Sequence, residues 1–190
     1  MIKWLNPVKY FQDKNLLLLN LLIFCLGTFL AVSLSARFDG ILDLHFLPFS
    51  RAVITMTDNI VNIVFLTFIL FALGRFINPK ARIIDCLNTA FYSRIPFYLL
   101  CLTNIGGEMP YLFEPILLKV SDPSIILPTS IYVYVIIFTL VSFLVLASTI
   151  IILFNGFKIA TNAKSTKHYL FFVLAILIAE ISTSIFLKNL

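Results

Sequence analysis

Charge is what this sequence has least of: 12% of its 190 residues are Asp, Glu, Lys or Arg, while 61% are hydrophobic. A soluble domain carries about 25% charged and about 45–50% apolar residues, so no aqueous globule accounts for this chain. Histidine is scarce too, at His45 and His168 only. The three cysteines, Cys25, Cys86 and Cys101, lie within or beside apolar runs. Neither set has the spacing of a zinc or redox site, so no metal and no cofactor are expected. A glycine-rich phosphate loop, an HExxH pair and a GxSxG nucleophile are all missing, which argues against an enzyme. The formal charge of +5 is scattered over short segments without a basic face, which excludes nucleic acid as a partner. Polar stretches are short, about 25 residues at most, too few to bury a second soluble core.

What remains is apolar sequence in membrane-length runs. The expected fold class is an all-α integral membrane protein with five transmembrane helices and a short N-terminal interfacial helix. The spans are read at about 16–35, 60–77, 83–105, 130–154 and 168–187. Residues 1–15 form the amphipathic helix, with Asn6 as N-cap and Pro7 in the first turn. There Trp4, Leu5, Val8 and Phe11 face lipid, while Lys3, Lys9 and Lys14 reach anionic headgroups. The run after it is long enough to span and is not expected to be a cleaved signal. Small residues recur at Gly27, Ala31 and Ser35 in the first span, and at Ala175, Ala179 and Thr183 in the last.

The basic residues set an orientation. Nine Lys and Arg fall in the N-terminal segment and the turns 74–82 and 155–167, against four on the opposite side. By the positive-inside rule the N-terminus is cytoplasmic and the C-terminus outside. The bilayer is the first expected partner, followed by another membrane protein or a second copy of the chain.

Two charges lie deep in the apolar runs. Arg94 sits in Phe91-Tyr-Ser-Arg-Ile-Pro-Phe97, midway along the third run, and Glu180 midway along the fifth. Both are roughly 16–18 Å from the basic side at 1.5 Å per helical residue. Equal depth predicts an intramembrane charge pair. Each charge costs at least about 2.5–3.5 kcal/mol at the bilayer centre without a partner or water. Pro96 removes a helical hydrogen bond and predicts a kink beside Arg94. Asn62, Asn88, Ser93, Asn104 and Ser182 are candidates to line one polar cavity with them. Two functions follow: a non-enzymatic organising protein in which the pair bolts the bundle together, or a small transporter or flippase-like protein using a midplane Arg94/Glu180 site.

Three features together resemble the Yip (Ypt/Rab-interacting protein) membrane proteins in their short bacterial form. They are Asn6-Pro-Val-Lys-Tyr-Phe11 before the first span, Asn88-Thr-Ala-Phe-Tyr-Ser-Arg-Ile-Pro96 after a basic turn, and a five-span layout with a basic turn before the last helix. The resemblance implies a five-helix bundle with a cytoplasmic N-terminus and no catalytic activity. Eukaryotic members of that family work with small GTPases in vesicle traffic through a longer cytosolic N-terminal region. The present sequence shows no such region, so the GTPase role is not carried over. Richness in Phe, Ile, Lys and Asn suits an AT-rich prokaryotic genome and the cell (plasma) membrane; a eukaryotic source would imply Golgi or ER membranes.

Overall fold

The computed structural model describes residues 7–10, 13–112 and 114–189. Residues 1–6 and 11–12, which carry Lys3, Trp4, Asn6 and Phe11 of the expected interfacial helix, lie outside the described residues. Of that segment a short helix α1 (Pro7–Tyr10) is seen. Val8 packs on a cluster formed by Leu16, Tyr92 and Ile152.

Four helices are long and apolar enough to cross a membrane: α2 (Asp13–Ser33), α3 (Ala52–Ile77), α8 (Thr129–Thr161) and α9 (Thr166–Lys188). The fold is all-α, as expected, but the count of long helices is four rather than five. In α8 only 11% of the most apolar window is buried within the protein. An aqueous core helix would hide far more, so these surfaces fit a membrane protein.

The expected third span, 83–105, is broken. It runs as α4 (Ile83–Tyr92), α5 (Ile95–Leu100) and a 3₁₀ turn (Cys101–Asn104). The interruption falls at Ser93 and Arg94, whose ψ angles of −15° and −18° tighten the backbone. Pro96 explains the position. It has no N–H for the carbonyl four residues back, and its ring crowds that carbonyl, so the chain tightens just before it. Pro96 then lies in the first turn of α5, where a missing N–H costs little. The Ser93 carbonyl at the break accepts from Thr149 of α8 at 3.4 Å.

Helix ends also move relative to expectation. The second span starts at Ala52, eight residues early, taking Asp58 and Asn59 into α3. The fourth continues to Thr161 and stops at Asn162, whose φ of 53° is left-handed. Gly156 therefore lies inside α8 and does not begin a turn. A Cβ there would overlap the Thr89 side chain, so the glycine is what lets α4 and α8 touch.

The largest departure is the segment between α2 and α3. It forms a two-stranded antiparallel hairpin, β1 (Ala36–Arg37) and β2 (His45–Phe46), with Ala36 opposite Phe46. The intervening loop dips into the helix bundle. Phe38 and Ile41 are fully buried there, and Ile41 joins the main core with Leu66, Leu70 and Ala179. A loop with four Asp and Arg residues would ordinarily stay at the surface. Here Arg37, Asp39 and His45 cluster at the base and Asp43 stays exposed, while Phe38 and Ile41 are inserted. Beyond the broken segment, α6 (Met109–Leu112) and α7 (Glu114–Ser121) are short and exposed.

Candidate functional site

Arg94 is the largest fully buried side chain among the described residues. The break before α5 turns it inward, under the tip of the hairpin. Its Nη1 donates to the Ile41 carbonyl at 2.7 Å, and its Nε donates to Asn59 Oδ1 at 3.2 Å. The guanidinium lies over two rings, 4.6 Å from the Phe38 centroid and 5.0 Å from Phe97. Planar stacking and fixed donors make arginine the cation suited to such a site.

Asn59 is the second anchor. Its amide donates to Thr28 Oγ1 at 2.8 Å and to the Tyr98 hydroxyl at 2.7 Å. Side chains from α2, α3 and α5 are thereby joined through one asparagine to the arginine. One turn along α3, Asn62 donates to the Phe38 carbonyl at 3.0 Å and so holds the hairpin region directly, whereas Asn59 reaches it through Arg94.

Glu180 approaches the hairpin tip from α9. Its Oε2 accepts from the Leu42 N–H at 2.6 Å. The Ile41 carbonyl and the Leu42 N–H belong to the same peptide group. Arg94 and Glu180 therefore meet through that peptide, cation at its oxygen and anion at its N–H. A peptide dipole of roughly 3.5 D has its negative end toward Arg94 and its positive end toward Glu180, so each charge is favourably placed. The two charges do come together, with a backbone unit inserted between them. Among the described residues they form no direct salt bridge. Gly40 completes the fit, since a Cβ there would overlap the Glu180 carboxylate.

The other residues expected to line one cavity are dispersed. Asn88 pairs with Asn20 of α2, whose Nδ2 donates to its Oδ1 at 2.9 Å. Ser93 donates to its own helix, at the Ala90 carbonyl. Asn104 ties loop to helix at the far end, donating to the Leu34 carbonyl at 2.8 Å and accepting from Met109 N–H at 2.9 Å. Ser182 is half-buried on α9. Of the set, only Asn62 shares the hairpin tip with Arg94 and Glu180.

The base of the hairpin carries a cluster of charges whose partners local sequence does not reveal. Arg37 Nε donates to Asp58 Oδ2 at 2.7 Å and lies 3.3 Å from Asp39 Oδ1, while His45 Nδ1 is 2.5 Å from Asp39 Oδ2. The hydrogen bond to Asp58 leads the interactions that raise the Arg37 pKa above its ordinary value. Burial pushes the Asp39 carboxyl up, but the His45 hydrogen bond and the charges of His45, Arg37 and Lys188 outweigh it and hold Asp39 below its usual range. A depressed carboxylate stabilises the fold above its unfolded pKa and loses that contribution as pH falls through its folded value. Hydrogen exchange of the 36–46 amides should therefore accelerate as pH drops below about 4, after correction for intrinsic rates. Asp39→Asn should make the same amides exchange faster at neutral pH. An unchanged neutral-pH profile in that variant would show that Asp39 does not hold the hairpin base.

Sequence features point to three of these partners. Asn59 lies one helical turn from Asn62 at the start of a long apolar run, and Phe38 and Ile41 are large apolar residues among aspartates. Scanned against protein-family models the chain matches none, and no curated protein and no solved structure matches it.

Proposed function

We propose that this chain is a non-enzymatic multi-pass membrane protein that organises or docks other membrane proteins, in the manner its Yip-like sequence features imply. The observation that carries the reading is the enclosure of Arg94. A transport site must be reached by its solute, whereas two of this side chain's donor nitrogens are spent on Ile41 and Asn59. The charge network then holds a hairpin and four helices, α2, α3, α5 and α9, in one fixed arrangement, which suits a scaffold.

In this reading the broken segment 83–104 makes a fifth crossing. Lys14, Arg75, Lys80, Arg82, Lys158, Lys164 and Lys167 all lie at or near the helix ends that this arrangement puts on one side. The positive-inside rule makes that side cytoplasmic, with the C-terminus outside and the hairpin entering from the outer face. The cell membrane is the proposed location.

A second reading, a small transporter or flippase-like protein, is favoured by one observation. Arg94 Nη2 and Asn62 Oδ1 are buried polar atoms without a hydrogen-bond partner among the described residues. Buried groups of this kind are ordinarily satisfied, and a wet interior would satisfy them.

Purification from native membranes in mild detergent, with mass spectrometry of what stays bound, separates the two. The organising role predicts a stoichiometric membrane-protein partner that rebinds the purified chain in liposomes. Isolation as a homo-oligomer with no protein partner, together with solute or lipid flux in those liposomes, would sink it.

A further inference from the structure

A groove lies along the outer loop, between α6 and the first turns of α8. Its two lobes share Glu108, Leu112 and Tyr134, and the larger, of about 330 Å³, also takes in Tyr111 and Ile131. The loop that carries Glu108 is held in place, because Asn104 bonds both the end of α2 and the Met109 N–H. The Glu108 carboxyl folds back over Gly106, its Cδ 4.0 Å from where a Cβ on that glycine would stand. Among the described residues no cation pairs with Glu108.

The same stretch shows what its aromatics do with a cation. Lys119 Nζ donates to the Tyr132 hydroxyl at 2.8 Å and lies 5.5 Å from that ring's centroid. Tyr111 and Tyr134 offer two further rings and hydroxyls, 55% and 57% exposed, beside an unpaired carboxylate. Leu112 and Ile131 supply an apolar floor. Tyrosines in the first turns of a membrane-length helix sit at headgroup level, where one end of a ligand is wet and the other apolar.

We propose that this groove binds the ammonium headgroup of a zwitterionic phospholipid, with the ammonium against Glu108 between the two tyrosines and the upper acyl chain over Leu112 and Ile131. An aromatic flank and a carboxylate recognise an ammonium group, and the carboxylate repels anionic headgroups. The site goes beyond the organising role and holds under either reading of the Arg94 centre.

Native mass spectrometry of the full chain, titrated in detergent with phosphatidylethanolamine or phosphatidylglycerol, tests it. Retention of phosphatidylethanolamine should exceed that of phosphatidylglycerol by about tenfold, from one carboxylate and two rings acting together. Glu108→Gln should bring the ratio to about parity, and Tyr134→Leu should lower it several-fold. Glu114→Gln, outside the groove, should leave it unchanged. Equal retention of the two lipids by the native chain, preferential retention of the anionic one, or a preference that survives Glu108→Gln would overturn the assignment. Should Glu108→Gln fail to purify, Tyr134→Leu and Tyr111→Leu carry the test, and a preference intact in both overturns it equally.

Discussion

Replacing Arg94 by alanine is expected to destabilise the protein by about 3–5 kcal/mol, the range for removing one member of a buried charge network. Three losses combine. The Ile41 carbonyl and Asn59 Oδ1 lose their donors in a buried setting, two ring faces lose their cation, and the void left by the largest buried side chain is filled only partly. Lysine should not restore stability. One ammonium does not span both acceptors and lacks the planar face that lies between Phe38 and Phe97. Glu180→Ala should cost less, about 1–3 kcal/mol, since it removes one acceptor at a half-buried position. The double variant distinguishes a bridged from a direct pair. Because both charges act on the Ile41–Leu42 peptide, it should be less stable than Arg94→Ala alone yet more stable than additivity requires. A direct salt bridge would instead leave the double variant more stable than either single one. Unfolding of reconstituted protein in a denaturing detergent titration reads these differences.

The peptide bridge also marks how far the sequence could be read. A charge isolated in an apolar run is conspicuous, and helical rise alone put Arg94 and Glu180 at one depth. The intervening element was not legible in the same way. Residues 36–51 contain Arg37, Asp39, Asp43 and Arg51, and charge at that density reads as a solvated loop. What reverses it is tertiary. Ala36 and Arg37 pair with Phe46 and His45, which gathers Arg37, Asp39 and His45 at the base and leaves Phe38, Gly40 and Ile41 buried as a finger. Pairing of this kind depends on contacts eight and ten residues apart that no local periodicity reports.

Helix ends failed for a related reason. Asn155-Gly156 has the composition of a turn, yet Thr89 of α4 needs a residue without a side chain opposite it. The helix runs on to Asn162, a residue able to take the left-handed conformation. In α3 the early start follows from Asp58 and Asn59. Both look like loop residues until their partners Arg37 and Arg94 are known. Asp58 and Asn59 read as loop residues because their partners lie elsewhere in the chain, and Asn59 is the residue that ties Arg94 to α2 and α5.

Gly27→Ala should be nearly as damaging as loss of Arg94 itself, at about 2–4 kcal/mol, although it adds a single methyl group far along the sequence. The small-residue stripe of α2 predicts a close approach at this position, and α5 makes it. A Cβ on Gly27 would overlap the ring of Tyr98. That ring is 4% exposed and stacks edge-on against Phe38 at 5.9 Å, so it has little room to retreat. Its hydroxyl accepts from Asn59, which accepts in turn from Arg94. Displacing the ring therefore strains the core and disturbs the charge centre through two consecutive hydrogen bonds. Tyr98→Phe isolates the second effect and should cost about 0.5–1.5 kcal/mol. Tyr98→Leu isolates the first. If the damage comes from overlap, Gly27→Ala should add little in a Tyr98→Leu background, because the methyl then enters space the ring has left. Full additivity of those two changes would place the effect of Gly27 elsewhere on α2 and leave the Thr28–Asn59 hydrogen bond as that helix's link to the Arg94 centre.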